Sequence, residues 1–246
     1  MKAFLTSTLG GHETVGDTKY PAAIWNPNGL KERLVEALPE KVRCLIIASD
    51  PGAHEINDFY MSLDSEGLRL SGINLESCRL CDSRNAGDIG ALLSDCDLVI
   101  LSGGHVPTEH EFFRRIGLKE RLEAYTGVVV GISAGSMNSC ELIYCQPELP
   151  GEASDPDFLR WREGMGIVKL SLLPHWQEIS LLTLDGFRVF EDISLPDSRE
   201  HPFYALCDGS YILCEDGHAD IFGEAYLLSD GEIHQVCSVG EKRRVY

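Results

Sequence analysis

A serine between two glycines, Gly131-Ile132-Ser133-Ala134-Gly135, follows the β-branched run Val128-Val129-Val130 and precedes residues that can open a helix. This is the pattern of a nucleophile elbow, and the chemistry it suits is attack of a serine oxygen on a carbonyl. A sharp strand-to-helix turn pushes the serine out on a strained backbone, and small neighbours prevent collisions across the turn. The helix behind it directs unpaired N–H groups at negative charge growing near the serine oxygen. The same spacing also fits a glycine-rich turn with an idle serine, so other residues have to decide.

A serine hydroxyl needs a base to take its proton, and the base needs a third group to fix its tautomer. Of the eight histidines, His175 is best placed, because it follows the apolar stretch Gly166 to Leu173 directly, with Pro174 stiffening the approach. His105, after the Gly103-Gly104 turn, is the competitor and otherwise a candidate substrate contact. His12, His54, His110, His201, His218 and His234 lack comparable placement. Candidate acids between the elbow and His175 are Glu141, Glu148, Glu152, Asp155 and Asp157; Glu148 is favoured because Pro147 and Leu149-Pro150 stiffen its segment. Spacing leaves the choice between Glu148 and Glu152 open. For the tetrahedral oxyanion, the N–H of Ala134 and that of Gly104 are the expected donors, since glycine lets backbone come close to substrate.

Elements that could position these groups alternate as strand and helix. Strands are expected at Met1–Thr8, Val42–Ser49, Gly72–Leu75, Asp97–Leu101, Val128–Ile132 and Gly166–Leu173, the longer ones nearly continuous in apolar residues, as in a sheet covered on both faces. Helices are expected at Leu30–Leu38, His54–Leu63, Ala86–Leu93, Glu109–Ile116, Leu118–Tyr125 and Glu178–Phe190. Gly10–Asn28 and Cys145–Pro156 read as loops. This order predicts an α/β fold with a mostly parallel, doubly wound sheet flanked by helices, whose ligand site lies beyond the carboxyl ends of the strands. From Tyr204 onward, short apolar runs separated by Asp208-Gly209, Asp216-Gly217 and Asp230-Gly231 predict antiparallel hairpins. No repeat or linker divides the chain, so residues 1–246 are read as one domain.

Charge and cysteine usage narrow the function. A net charge of −18, with a basic cluster only at Lys242-Arg243-Arg244, would repel a phosphate backbone, so nucleic acid is not an expected partner. The amino terminus turns polar before a signal segment could form and no apolar run reaches membrane-spanning length, so a cytoplasmic protein with no membrane partner is expected. Nine scattered cysteines fit reduced thiols. Cys78-Arg79-Leu80-Cys81 has no second half at ligand spacing and is read as packing, so no metal and no cofactor are expected.

Taken together, Ser102-Gly103-Gly104 after a buried strand, Gly131-Ile132-Ser133-Ala134-Gly135-Ser136-Met137-Asn138 and Leu173-Pro174-His175 resemble peptidase family S51, the serine peptidases of the peptidase E and cyanophycinase group. The resemblance runs from the first strand to Asp208-Gly209-Ser210-Tyr211. It implies a class I glutamine amidotransferase-like sheet, with serine where the amidotransferases carry cysteine, and a catalytic order of serine, acid, histidine. It also implies that Ser133 is the nucleophile and His175 the base. The peptidase E spacing of the acid falls on Glu148, and that of cyanophycinase a little further on, near Glu152. Peptidase E carries Gly-Glu-Thr-Arg after its histidine, with the arginine receiving an amino-terminal aspartate. Here the segment is Trp176-Gln177-Glu178-Ile179, and Arg188 lies at nearly the right distance in a different context.

The expected function is therefore a serine peptidase for small peptides, dipeptidase-like, with amino-terminal aspartate as one candidate preference, acting through a Ser-His-Glu triad and a covalent acyl-enzyme. The alternatives are an α/β-type esterase, whose histidine normally sits nearer the chain end, and an inactive amidotransferase-like binding protein. A homodimer is left open.

Overall fold

Alternate residues of the buried runs pack into two different cores, and this explains their continuous apolar character. Ala3, Leu5, Leu45, Ile47, Val99, Leu101 and Val129 point to one side, while Phe4, Cys44, Ile46, Leu98, Ile100, Val128 and Val130 point to the other. The computed structural model, which describes residues 1–246, places them in an eight-stranded sheet. Its parallel part runs, in spatial order, Lys2–Thr6, Val128–Ile132, Leu98–Leu101, Val42–Ile47 and Leu75–Cys81. Tyr211–Glu215, His218–Phe222 and Lys242–Arg244 extend it antiparallel beyond the first strand. Helices Leu30–Ala37 and His54–Leu70 cover the second core; Ile89–Ser94, Val106–Arg115, Leu118–Glu123 and Ala134–Asn138 cover the first. The protein is thus α/β with a large, mostly parallel sheet. No helix is long and apolar enough to cross a membrane.

Several elements differ from expectation for identifiable reasons. The expected strand Gly72–Leu75 is instead Leu75–Cys81, at the sheet edge, where partial exposure permits Glu76, Ser77 and Arg79 and hides the apolar signal. Cys78 packs into one core and Cys81 into the other, so the two thiols of the CxxC face opposite sides of the strand. All nine cysteines are free. The expected strand Gly166–Leu173 shrinks to Leu172–Leu173. Upstream of it, the N–H groups of Met165, Gly166 and Ile167 donate to the carbonyls of Asn138, Cys140 and Ser139, at and just beyond the end of the elbow helix. The expected helix Glu178–Phe190 breaks into a short helix, Trp176–Ile179, and a hairpin, Thr183–Leu184 with Phe187–Arg188. Asp185 and Gly186 both take positive φ at its tip, the requirement of a tight hairpin turn. The Gly10–Asn28 stretch likewise folds into a hairpin, His12–Val15 with Thr18–Pro21.

Two of the three Asp-Gly turns do close hairpins, Asp216-Gly217 and Asp230-Gly231. Asp208-Gly209 does not: it carries the chain from Phe203–Leu206, in a separate four-stranded sheet, to Tyr211–Glu215 in the large one. In that small sheet Leu172–Leu173 pairs in parallel with Phe203–Leu206, Leu173 opposite Ala205. The residues that follow the two strands, His175 and Asp208, therefore leave the sheet side by side and in the same direction.

Candidate active site

Ser133 sits at φ 49°, ψ −110°, between the strand Val128–Ile132 and the helix Ala134–Asn138. Positive φ at a non-glycine residue costs on the order of 1–3 kcal/mol and persists only where its surroundings enforce it. Here the Ser133 N–H donates to Thr6 O at 3.0 Å, and its carbonyl accepts from Ser136 and Met137. Both elbow glycines are sterically required. A Cβ on Gly131 would lie 2.8 Å from Ser136 N, and one on Gly135 would overlap the Leu101 carbonyl. Gly103 packs against the serine itself, with its missing Cβ 3.3 Å from Ser133 Cβ.

His175, also at positive φ (55°), accepts from Ser133 Oγ at Nε2 (2.9 Å) and donates from Nδ1 to Asp208 Oδ1 (2.8 Å). Buried Ser7 holds the pair together: its hydroxyl donates to Asp208 Oδ1 (2.6 Å) and accepts the backbone N–H of His175 (2.8 Å). Asp208 N–H in turn donates to Gln177 Oε1 at 3.1 Å. The carboxylate on His175 is thus Asp208 rather than Glu148 or Glu152, and it follows the histidine along the chain. Neither Asp208 nor Ser7 was singled out by sequence. An Asp-Gly pair is ordinary turn punctuation, and only the strand pairing beneath it brings that carboxylate to the histidine.

Burial disfavours the His175 imidazolium, but the hydrogen bond and charge of Asp208, with Glu178 and Glu148 nearby, outweigh it and hold the group above its ordinary 6.5. Burial likewise opposes the Asp208 charge, yet the bonds from His175 and Ser7 keep its carboxyl below the usual range. The sign follows from linkage. The His175 interaction stabilises the fold fully below pH 6.5 and fades as pH rises through the raised folded value. The neutral imidazole that can accept a proton appears across the same window. The ascending limb of kcat/KM against pH is therefore expected above 6.5; a limb at or below 6.5 would contradict this coupling.

Neither the Gly104 nor the Ala134 N–H donates to a protein acceptor. Position 104 has room only for glycine, since a Cβ there would overlap the Ser49 side chain. Gly104, Ser133 and His175 open onto a cavity of about 630 Å³, lined at the carboxyl ends of the parallel strands by Thr8, Ser49 and Ser102. The hairpin after the first strand contributes His12 and Lys19 to the same cavity, so His12 lines a site from which sequence had set it aside.

The remaining expected residues fall as follows. Glu148 lines the cavity, its carboxyl pushed up to about 7 by burial and the neighbouring Glu152. Glu152 organises the Cys145–Pro156 loop by accepting the N–H groups of Glu148 (2.8 Å) and Leu149 (2.9 Å) and pairing with His105 Nε2 (2.8 Å). His105 is engaged there and with Thr108, outside the cavity lining. Arg188 is well exposed, outside the lining, with its guanidinium on Asp192 at 2.8 Å. The hairpin at Asp185-Gly186 takes the place of the expected helix and leaves Arg188 on the surface.

A family model described as peptidase family S51 matches residues 33–222, a span that includes Ser133, His175 and Asp208. No curated protein is matched. Among solved structures, that of a candidate peptidase E protein from Listeria monocytogenes EGD-e aligns over 96% of this chain and 97% of its own, at 17% identity and a TM-score of 0.52. At that identity the likeness speaks for the fold.

Proposed function

The chain belongs to peptidase family S51, and we propose from that premise that it is a serine peptidase of small peptides with a Ser133-His175-Asp208 triad. The observation that carries the reading is the continuous hydrogen-bonded line from Ser133 Oγ through both ring nitrogens of His175 to Asp208. Ser133 Oγ attacks the scissile carbonyl as His175 Nε2 takes its proton, and Asp208 stabilises the imidazolium that forms. The N–H groups of Gly104 and Ala134, free of protein acceptors, receive the oxyanion. His175 then protonates the leaving amine, and a water activated by the same nitrogen hydrolyses the acyl-enzyme. The central sheet is read as the class I glutamine amidotransferase-like sheet, with Ser133 in the place of the cysteine.

The cavity volume suits a short peptide. Its lining carries the carboxyl groups of Asp64, Glu148 and Glu178, suited to a substrate ammonium, and Lys19 as its single Lys or Arg. Lys19 Nζ donates to Tyr60 Oη at 2.7 Å and has no carboxylate within ion-pair distance. With Arg188 turned away, an amino-terminal aspartate would have Lys19 as its cationic partner.

The test is hydrolysis of a dipeptide panel with aspartyl, neutral and basic amino-terminal residues, alongside labelling of Ser133 by a serine-directed phosphonyl fluoride. Lys19→Met is expected to raise KM for aspartyl members roughly tenfold, about 1.4 kcal/mol, with neutral members unchanged. Equal effects on both would remove Lys19 from substrate selection. Absence of labelling in folded protein would overturn the peptidase reading itself.

A further inference from the structure

Of the buried carboxyl groups outside the proposed triad, Asp82 pairs with Arg84 and Asp220 with Lys242 and Arg244, whereas Glu109 has no cationic partner. Glu109 and Asn138 are 0% and 1% exposed. The Asn138 amide nitrogen donates to Glu109 Oε2 at 2.9 Å, and it also lies within reach of the carbonyls of Ala134 (3.1 Å) and Val106 (3.3 Å). Glu109 Oε1 and Asn138 Oδ1 are both left without a partner. While Glu109 is charged, both orphan atoms are acceptors and neither can satisfy the other. A proton on Oε1 turns one of the two acceptors into a donor, so that the acid O–H can serve Oδ1 while the amide N–H serves Oε2. Burial, opposed by the Asn138 bond and reinforced by the charge of Glu148, drives the Glu109 carboxyl well above the carboxylate range, in the direction this pairing needs. His110 is the other titratable group beside Asn138: the Asn138 side chain favours its imidazolium, but its ring nitrogens lie outside hydrogen-bonding geometry to Oδ1.

The elements that the pair joins give it a role. Glu109 lies in the helix Val106–Arg115, which begins just after Gly104. Asn138 ends the helix Ala134–Asn138, which begins just after Ser133. The second helix thus carries the Ala134 N–H, and the first starts two residues after Gly104, so the pair ties together the segments that hold the two N–H groups assigned to the oxyanion. We propose that Glu109, held as a neutral carboxylic acid, is a positioning residue that locks to Asn138 and fixes the spacing between the Gly104 and Ala134 N–H groups. The catalytic part of this inference rests on the peptidase reading above; the protonation state does not.

Two measurements test it. Infrared difference spectra of wild type against Glu109→Gln at pH 7 are expected to show a protonated-carboxyl carbonyl band that the variant lacks; loss of an ionised-carboxylate band instead would overturn the proposal whatever the activity. In kinetics, Glu109→Gln preserves both bonds, since its amide can donate to Oδ1 and accept from Nδ2, and kcat is expected within about threefold of wild type. Glu109→Ala releases the helix pair and is expected to lower kcat by roughly 10- to 100-fold at nearly constant KM, the scale of an ångström-level misplacement. Equal loss in both variants, or a loss confined to KM, would overturn the positioning role. If Glu109→Ala does not fold, the band and the Gln variant still decide. If no peptide is turned over, the rate of Ser133 phosphonylation replaces kcat, so failure of the peptidase reading is separable from failure of this one.

Discussion

Replacing Ser133 with alanine is expected to leave a folded protein whose peptide hydrolysis has fallen by on the order of 10⁴- to 10⁶-fold, the loss seen when a triad nucleophile is removed. Fold retention follows from the local bonds. The strained backbone at Ser133 is held by its own N–H on Thr6 and by the Ser136 and Met137 N–H groups on its carbonyl, none of which involves the hydroxyl. The side-chain change removes the one hydrogen bond to His175 Nε2. The pairing of His175 with Asp208 and Ser7 remains. Circular dichroism and a thermal midpoint near that of wild type, measured beside the dipeptide assay, separate loss of chemistry from loss of fold. Activity above a tenth of wild type would mean that another nucleophile does the work.

Asp208→Asn is expected to lower kcat by roughly 10⁴-fold, whereas Glu148→Gln lowers it by less than about tenfold. An amide at position 208 can no longer compensate the imidazolium that forms as Ser133 attacks, and it can present an N–H to His175 Nδ1, favouring the wrong tautomer. The pH profile carries a second signature. Because Asp208 is the principal group lifting His175 above 6.5, its loss moves the ascending limb to lower pH. Glu148 lies in the same cavity, its carboxyl pushed up to about 7 by burial and Glu152, but its charge is a minor influence on His175, so Glu148→Gln leaves the limb nearly in place. The reverse ranking of the two variants would return the acid to the loop after the elbow.

The contrast between these two acids marks where sequence reasoning stopped. Ser133 was legible because everything that shapes it is local: a β-branched run, two glycines that sterics demand, and the start of a helix. His175 was legible for a similar reason, as the residue after a short apolar strand and a proline. Asp208 is 33 residues further on, and what brings it to His175 is the parallel pairing of Leu172–Leu173 with Phe203–Leu206. No composition or periodicity at either strand announces that partner. The edge strand Leu75–Cys81 carries little apolar signal because edges tolerate polar residues, and the Asp185-Gly186 turn lies within a stretch of helical spacing. Arg188, in that hairpin, lies outside the cavity lining.

The seat of Ser7 has a consequence for the life of the chain on the ribosome. Its hydroxyl sits at the end of the first strand, yet its two partners, His175 and Asp208, arrive from a different sheet late in the sequence. Synthesis proceeds from the amino terminus, and a domain folds as a unit once enough of it has emerged. The elbow serine therefore leaves the exit tunnel well before the carboxylate that pairs with His175. On the proposed triad, a partly made chain carries Ser133 without its carboxylate, and hydrolysis begins only once Tyr211–Glu215 has docked beside Lys2–Thr6.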